Sequence, residues 1–137
     1  MSTTGRHLKN IERLLTIASG TTESDFKKDS QYMKFKTKKI INRTEVDQII
    51  FGLDRLKFHE ECIYWYKRVL DETVCNKDEH YEVLNSLCHN YFDIFEYEIS
   101  LEYGNQALAC MKASESIKSY RVSTKEFLLS LTNVKKH

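Results

Sequence analysis

The chain has no proline and only four glycines among its 137 residues. These are the two residue types that break helices, so their scarcity permits long uninterrupted ones. It has no run of eighteen apolar residues, which excludes a membrane-spanning helix from the sequence. Met1 to His7 lacks the apolar stretch of a secretory signal, so none is expected. There is no glycine-rich phosphate loop and no G-x-S-x-G elbow.

Cysteine is sparse: Cys62, Cys75, Cys88 and Cys110, with no C-x2-C pair and no spacing of a disulfide framework. Reduced thiols in an intracellular, cytoplasmic protein are the expectation. His59 and Cys62 stand three apart, and His80, Cys88 and His89 lie on another stretch of helical period. Without a C-x2-C pair, and with Cys62 on an apolar stripe, neither set reads as a zinc site. Neighbours such as Cys88 and His89 point about 100° apart on a helix, and no third group would orient them. The expectation is a protein that is no enzyme and holds no metal or cofactor.

What is present is aromatic, charged and periodic. Eight Tyr, seven Phe and one Trp supply large side chains for a core. A chain of this length reads as one domain. The total charge is +1, but the signs are segregated. Residues 1–43 hold ten Lys/Arg against four Asp/Glu, residues 44–109 five against fourteen, and residues 110–137 six against two. An acidic middle between basic ends matches packed helices to each other, or marks partner surfaces.

Apolar residues recur at helical spacing through most of the chain. Leu8, Ile11, Leu14, Leu15 and Ala18 predict a helix over His7–Ser19, with Gly20 ending it and Ser2, Thr3 or Thr4 capping it. Residues 21–43 are ambiguous: Phe26, Met33 and Ile40 fit a helical stripe loosely, while Met33–Lys36 alternates like a strand. Helix is preferred, because a lone strand has no partner here. Thr44 is placed to cap a helix through Val46, Ile49, Ile50, Leu53 and Leu56, followed by a turn at Lys57–Phe58. His59–Thr73 carries Cys62, Ile63, Trp65, Tyr66, Val69 and Leu70. In the Tyr64–Tyr66 cluster, helical spacing sends Trp65 and Tyr66 toward the core and leaves Tyr64 partly exposed. Asp78 is placed to cap the next helix, with Leu84, Leu87, Tyr91 and Ile94 on its stripe. Phe95–Glu96 turns the chain into a helix from Tyr97 to about Ala113, and Ser114 is placed to cap a last one, interrupted at Ser123–Thr124.

A shift of thirty-eight residues superposes two of these hairpins: Val46 falls on Leu84, Ile49 on Leu87, Leu53 on Tyr91, Cys62 on Ser100, Val69 on Ala107 and Leu70 on Leu108. A small residue, Cys62 or Ser100, sits where two antiparallel helices would cross. Each unit resembles a tetratricopeptide repeat. The family pattern W-x2-L-G-x2-Y…A-x3-F…P falls on Leu84, Leu87, Cys88, Tyr91, Ser100 and Gly104, and on Val46, Ile49, Ile50, Leu53, Cys62 and Tyr66. The closing Pro and the Trp are missing, Gly104 replaces an aromatic, and the unit is four residues longer than usual. Gly104, unfavourable inside a helix, implies close packing against it, with the 115–134 helix as the candidate. The resemblance implies an all-α fold of about six to seven helices, antiparallel hairpins stacked as a short array. Its parts would be the N-terminal helices 7–43 (open to reading as a degenerate repeat), 44–73, 79–113 and a capping helix at 114–134. Bacterial peptide-sensing regulators and mitochondrial-fission-type adaptors are similar, though neither an output domain nor a membrane anchor is visible in these residues.

The resemblance also implies a protein-binding scaffold whose first helices line a concave face. That face would carry Asp47, Phe51, Asp54 and Arg55, and the matching Glu82, Asn85, His89, Phe92 and Asp93. These residues predict a groove for a basic or apolar-basic segment, with Phe51 and Phe92 as anchors. The segment could come from a partner or from the chain's own basic parts. The alternative site is the basic stretch Lys27, Lys28, Lys34, Lys36, Lys38, Lys39 and Arg43. It reads first as a solvated face or a match for the acidic middle, and second as a patch for nucleic acid or anionic lipid. The near-neutral total argues against nucleic acid.

Overall fold

The fold is all-α. The computed structural model describes residues 3–111, 127–129 and 131–132, with side chains from Leu8 onward, and every regular element among them is helical. The helices are α1 (Thr3–Ser19), α2 (Glu23–Phe26), α3 (Ser30–Lys36), α4 (Arg43–Arg55), α5 (His59–Glu72), α6 (Lys77–Asp93) and α7 (Tyr97–Met111). Residues 127–129 and 131–132 are also helical, whereas the expected cap at Ser114 and the break at Ser123–Thr124 lie outside the described residues. The chain forms two compact units, Met1–Trp65 and Tyr66–His137.

In the first unit α1 packs on α4. Ile11, Leu14 and Ala18 are buried, as are Val46, Ile49 and Leu53, so both stripes lie in the core. Gly52 permits the approach. A Cβ there would meet Leu15 Cδ1 at 2.6 Å and Cγ at 2.9 Å, inside contact distance. The ambiguous stretch is helical, but it is two short helices and a non-helical run over 38–42. It breaks at Asp29, whose side chain accepts the Tyr32 N–H and starts α3 afresh. Phe26 of α2 stacks on Tyr32 with centroids 4.0 Å apart and lies 5.9 Å from Phe58.

In the second unit α6 and α7 form an antiparallel hairpin. Tyr81, Leu84, Ala107 and Met111 make one cluster, with Leu70, Tyr103 and Leu108 against it. Ser100 marks the crossing: it is fully buried and its Oγ donates to the Cys88 carbonyl at 2.6 Å. Gly104 is packed as its position implied. Its missing Cβ leaves space taken by Leu128, with Cys88 Sγ 3.1 Å from where a Cβ would stand.

Two caps differ from expectation. Asn42, not Thr44, caps α4 by accepting the Glu45 N–H. Asn76, not Asp78, caps α6 in a full capping box with Glu79. Thr44 and Asp78 already lie within the first turn, whereas Asn42 and Asn76 hold the extended backbone from which a side chain accepts the N–H three residues on. The turns fall at Leu56–Phe58 and Ile94–Glu96, and both close helices in the same way. Lys57 and Phe95 take left-handed φ of 60° and 67°. Phe58 N–H bonds Leu53 O and Lys57 N–H bonds Asp54 O; Glu96 bonds Tyr91 and Phe95 bonds Phe92 in the same pattern. These are two Schellman motifs.

Candidate docking faces and the buried polar node

On α4, the side chains Asp47, Phe51, Asp54 and Arg55 share one exposed face. Phe51 is 63% exposed, a large aromatic left in water. The Arg55 guanidinium stands 5.8 Å from its ring centroid. Asp47 is bridged by Arg43 Nε at 2.8 Å, one turn back. The face is thus an aromatic ring between carboxylates and guanidiniums.

On α6, Glu82 and Asp93 are exposed and Asn85 is half-buried. Phe92 is half-buried by the chain itself, and His89, though exposed, has one ring face against it. Phe127 lies with its ring centroid 4.2 Å from that of His89 and 5.0 Å from that of Phe92, and Tyr97 packs on the other side of Phe92 at 5.4 Å. Leu128 and Leu131 are buried with Cys88 in the same cluster. Of the two phenylalanines read as anchors, Phe51 is open and Phe92 is occupied. Burial against these neighbours lowers the His89 pKa, with Asp93 opposing it more weakly. Cys88 faces Ser100 while His89 faces Phe127, so the adjacent pair serves two different contacts.

The basic stretch divides in two. Lys27 pairs with Glu60, which raises its pKa. Lys36 Nζ pairs with Glu61 at 2.9 Å and lies 4.4 Å from the Tyr64 ring centroid. Lys28, Lys34, Lys38 and Lys39 stand exposed. Part of the stretch therefore matches the acidic middle within the chain, and part faces water.

Glu61 centres a polar node that the sequence did not signal. It is 2% exposed. Tyr32 Oη donates to its Oε1 at 2.5 Å, and Trp65 Nε1 donates to Tyr32 Oη at 2.9 Å. The Glu61 N–H donates to Glu23 Oε2 at 3.1 Å, and Tyr64 Oη donates to the Lys36 carbonyl at 3.0 Å. Burial, and then the Glu61 carboxylate, push the Tyr32 phenol well up, so it stays a donor. This node ties α2 and α3 to α5. A signal existed only in the aromatic and acidic content of these segments, which gives bulk and charge but no pairing.

A pocket of about 250 Å³ is lined by Cys75, Asn76, Lys77, His80 and Cys110. Cys62 and Cys88 are buried, and burial pushes the Cys62 thiol up to about 12. Among the described residues no group of three His, Cys, Asp or Glu side chains is placed to hold a metal ion. No described helix is long and apolar enough to cross a membrane. No family model, no curated protein and no solved structure matches the chain.

Proposed function

We infer that the chain is a non-catalytic protein-binding scaffold built from tetratricopeptide-like helical hairpins. Its docking face on α4, with Asp47, Phe51, Asp54 and Arg55, takes an apolar-basic segment of a partner. The observation that carries this reading is the exposure of Phe51. An aromatic of this size in water, ringed by charged groups, has the chemistry of an interface anchor. A second support comes from the other hairpin. Thirty-eight residues on, His89 occupies the position matching Phe51, and there an aromatic of the chain's own C-terminal part already rests on the helix. The preference for a cationic partner rests on residues 44–109, whose fourteen carboxylates against five cations steer positive segments inward.

The test is affinity capture from source cells with the intact chain and two variants, Phe51→Ala and Asp47→Lys/Asp54→Lys. All three positions are exposed, so the variants should melt as the parent does. A partner held by the parent and lost by both variants supports the reading. A partner held equally by all three removes this face as the site.

A further inference from the structure

We propose that the loop Lys38–Ile41, together with Lys28 and Lys34, is a docking surface for anionic membranes. This goes beyond the protein-binding reading and uses another part of the first unit. Of the cations between Lys27 and Arg43, Lys27 pairs with Glu60, Lys36 with Glu61 and Arg43 with Asp47. Lys28, Lys34 and Lys39 are exposed, and so is Lys38, which also reaches the Phe35 ring. Among them Ile40 is 87% exposed, next to Lys39 on a stretch with no helical hydrogen bonding. Met33 is also exposed, beside Lys34. An aliphatic side chain this exposed beside a lysine has a natural receptor at a lipid interface. There the cations meet the negative surface potential while the apolar side chain enters the acyl boundary.

The same observation separates lipid from nucleic acid. Phosphates would attract the lysines equally, but a nucleic acid offers Ile40 no apolar receptor. The aromatic that could stack on bases, Phe35, is buried. Lys38 contributes less than the others, because it stands 5.4 Å from the Phe35 ring centroid and lines a small cavity with Glu45. Ile40 and Ile41 both border that cavity, but Ile41 is half-buried and Ile40 is the one left in water.

The experiment is sedimentation of the intact chain with vesicles of phosphatidylcholine alone or with about 30% phosphatidylserine, at roughly 0.1 M salt. Each lysine near such a surface is worth about fivefold in partitioning. The parent should therefore bind phosphatidylserine vesicles at least about tenfold more strongly than neutral ones. Lys34→Glu/Lys39→Glu should lose about twenty-five-fold or more, Ile40→Asp about tenfold, and Ile40→Leu almost nothing. All these side chains are exposed, and an unchanged circular-dichroism melt confirms folding. No preference for phosphatidylserine overturns the proposal. So does equal binding of Ile40→Asp and the parent, or retention on duplex DNA in place of vesicles. Partner capture through Phe51 is unaffected by any of these variants, so the two readings fail separately.

Discussion

Lys57 and Phe95, thirty-eight residues apart, end their helices in the same left-handed conformation, with φ of 60° and 67°. The hydrogen bonds around them repeat at the same offset, residue for residue. Glycine is the usual occupant of such a site, since a Cβ there costs about 1–2 kcal/mol. Lys57→Gly and Phe95→Gly should each stabilise the protein by about 0.5–1 kcal/mol, the greater freedom of glycine in the unfolded chain offsetting part of the relief. Phe95 is 76% exposed, so little packing is lost with its ring. Urea unfolding of each variant measures the gain.

Gly52 and Gly104 are both contact points, but of different tolerance. A Cβ at Gly52 would overlap the branch carbon of Leu15 as well as both its methyls. At Gly104 it would press mainly on the end of Leu128, with Cys88 Sγ at 3.1 Å. Overpacking costs about 1–3 kcal/mol, and alanine in a helix returns up to about 1. Gly52→Ala should therefore destabilise by about 1–2 kcal/mol and Gly104→Ala by less than about 1. Thermal melts of the pair read the order directly.

The Tyr32 hydroxyl is both donor to Glu61 and acceptor from Trp65. Tyr32→Phe removes both bonds while keeping the ring stack on Phe26. The cost should be about 1.5–3 kcal/mol, because the bond to a buried carboxylate is charge-assisted. Denaturant titration with an unchanged m-value would show that the loss is in stability and not in compactness.

Hairpin stripes were legible because their period is local: Leu84, Leu87 and Tyr91 repeat Val46, Ile49 and Leu53, and all are buried. Helix starts were legible only to within two residues. Asn42 and Thr44, or Asn76 and Asp78, are equally good cappers by residue type, and the extended backbone at Asn42 and Asn76 is what decides between them. The break at Asp29 was hidden by a capper inside a run of lysines and aromatics. Long-range facts left no local trace. Nothing at Gly52 points to Leu15, and nothing at Glu61 points to Tyr32. For the candidate site, exposure of Phe51 followed from its place off the stripe. Covering of Phe92 by Phe127 did not, because it depends on where a distant segment lands.

His89 reports on that covering. Its pKa lies below 6.5 in the folded protein, chiefly through burial. A lowered histidine pKa leaves stability constant above about pH 6.5 and erodes it as the pH falls from there through the folded value. The parent should lose stability over that window and His89→Gln should lose less, with both alike above it. Urea midpoints collected at stepwise pH make the comparison.

The central claim is that the α4 face binds an apolar-basic segment through Phe51. Its most direct measurement is fluorescence anisotropy of labelled peptides of matched hydropathy and opposite charge, titrated with the intact chain and with Phe51→Ala. The account predicts that basic peptides bind, that acidic ones do not, and that Phe51→Ala weakens binding at least about tenfold, as for an anchor worth 1.4 kcal/mol or more. Equal binding of both peptide classes, or binding indifferent to Phe51, would contradict it.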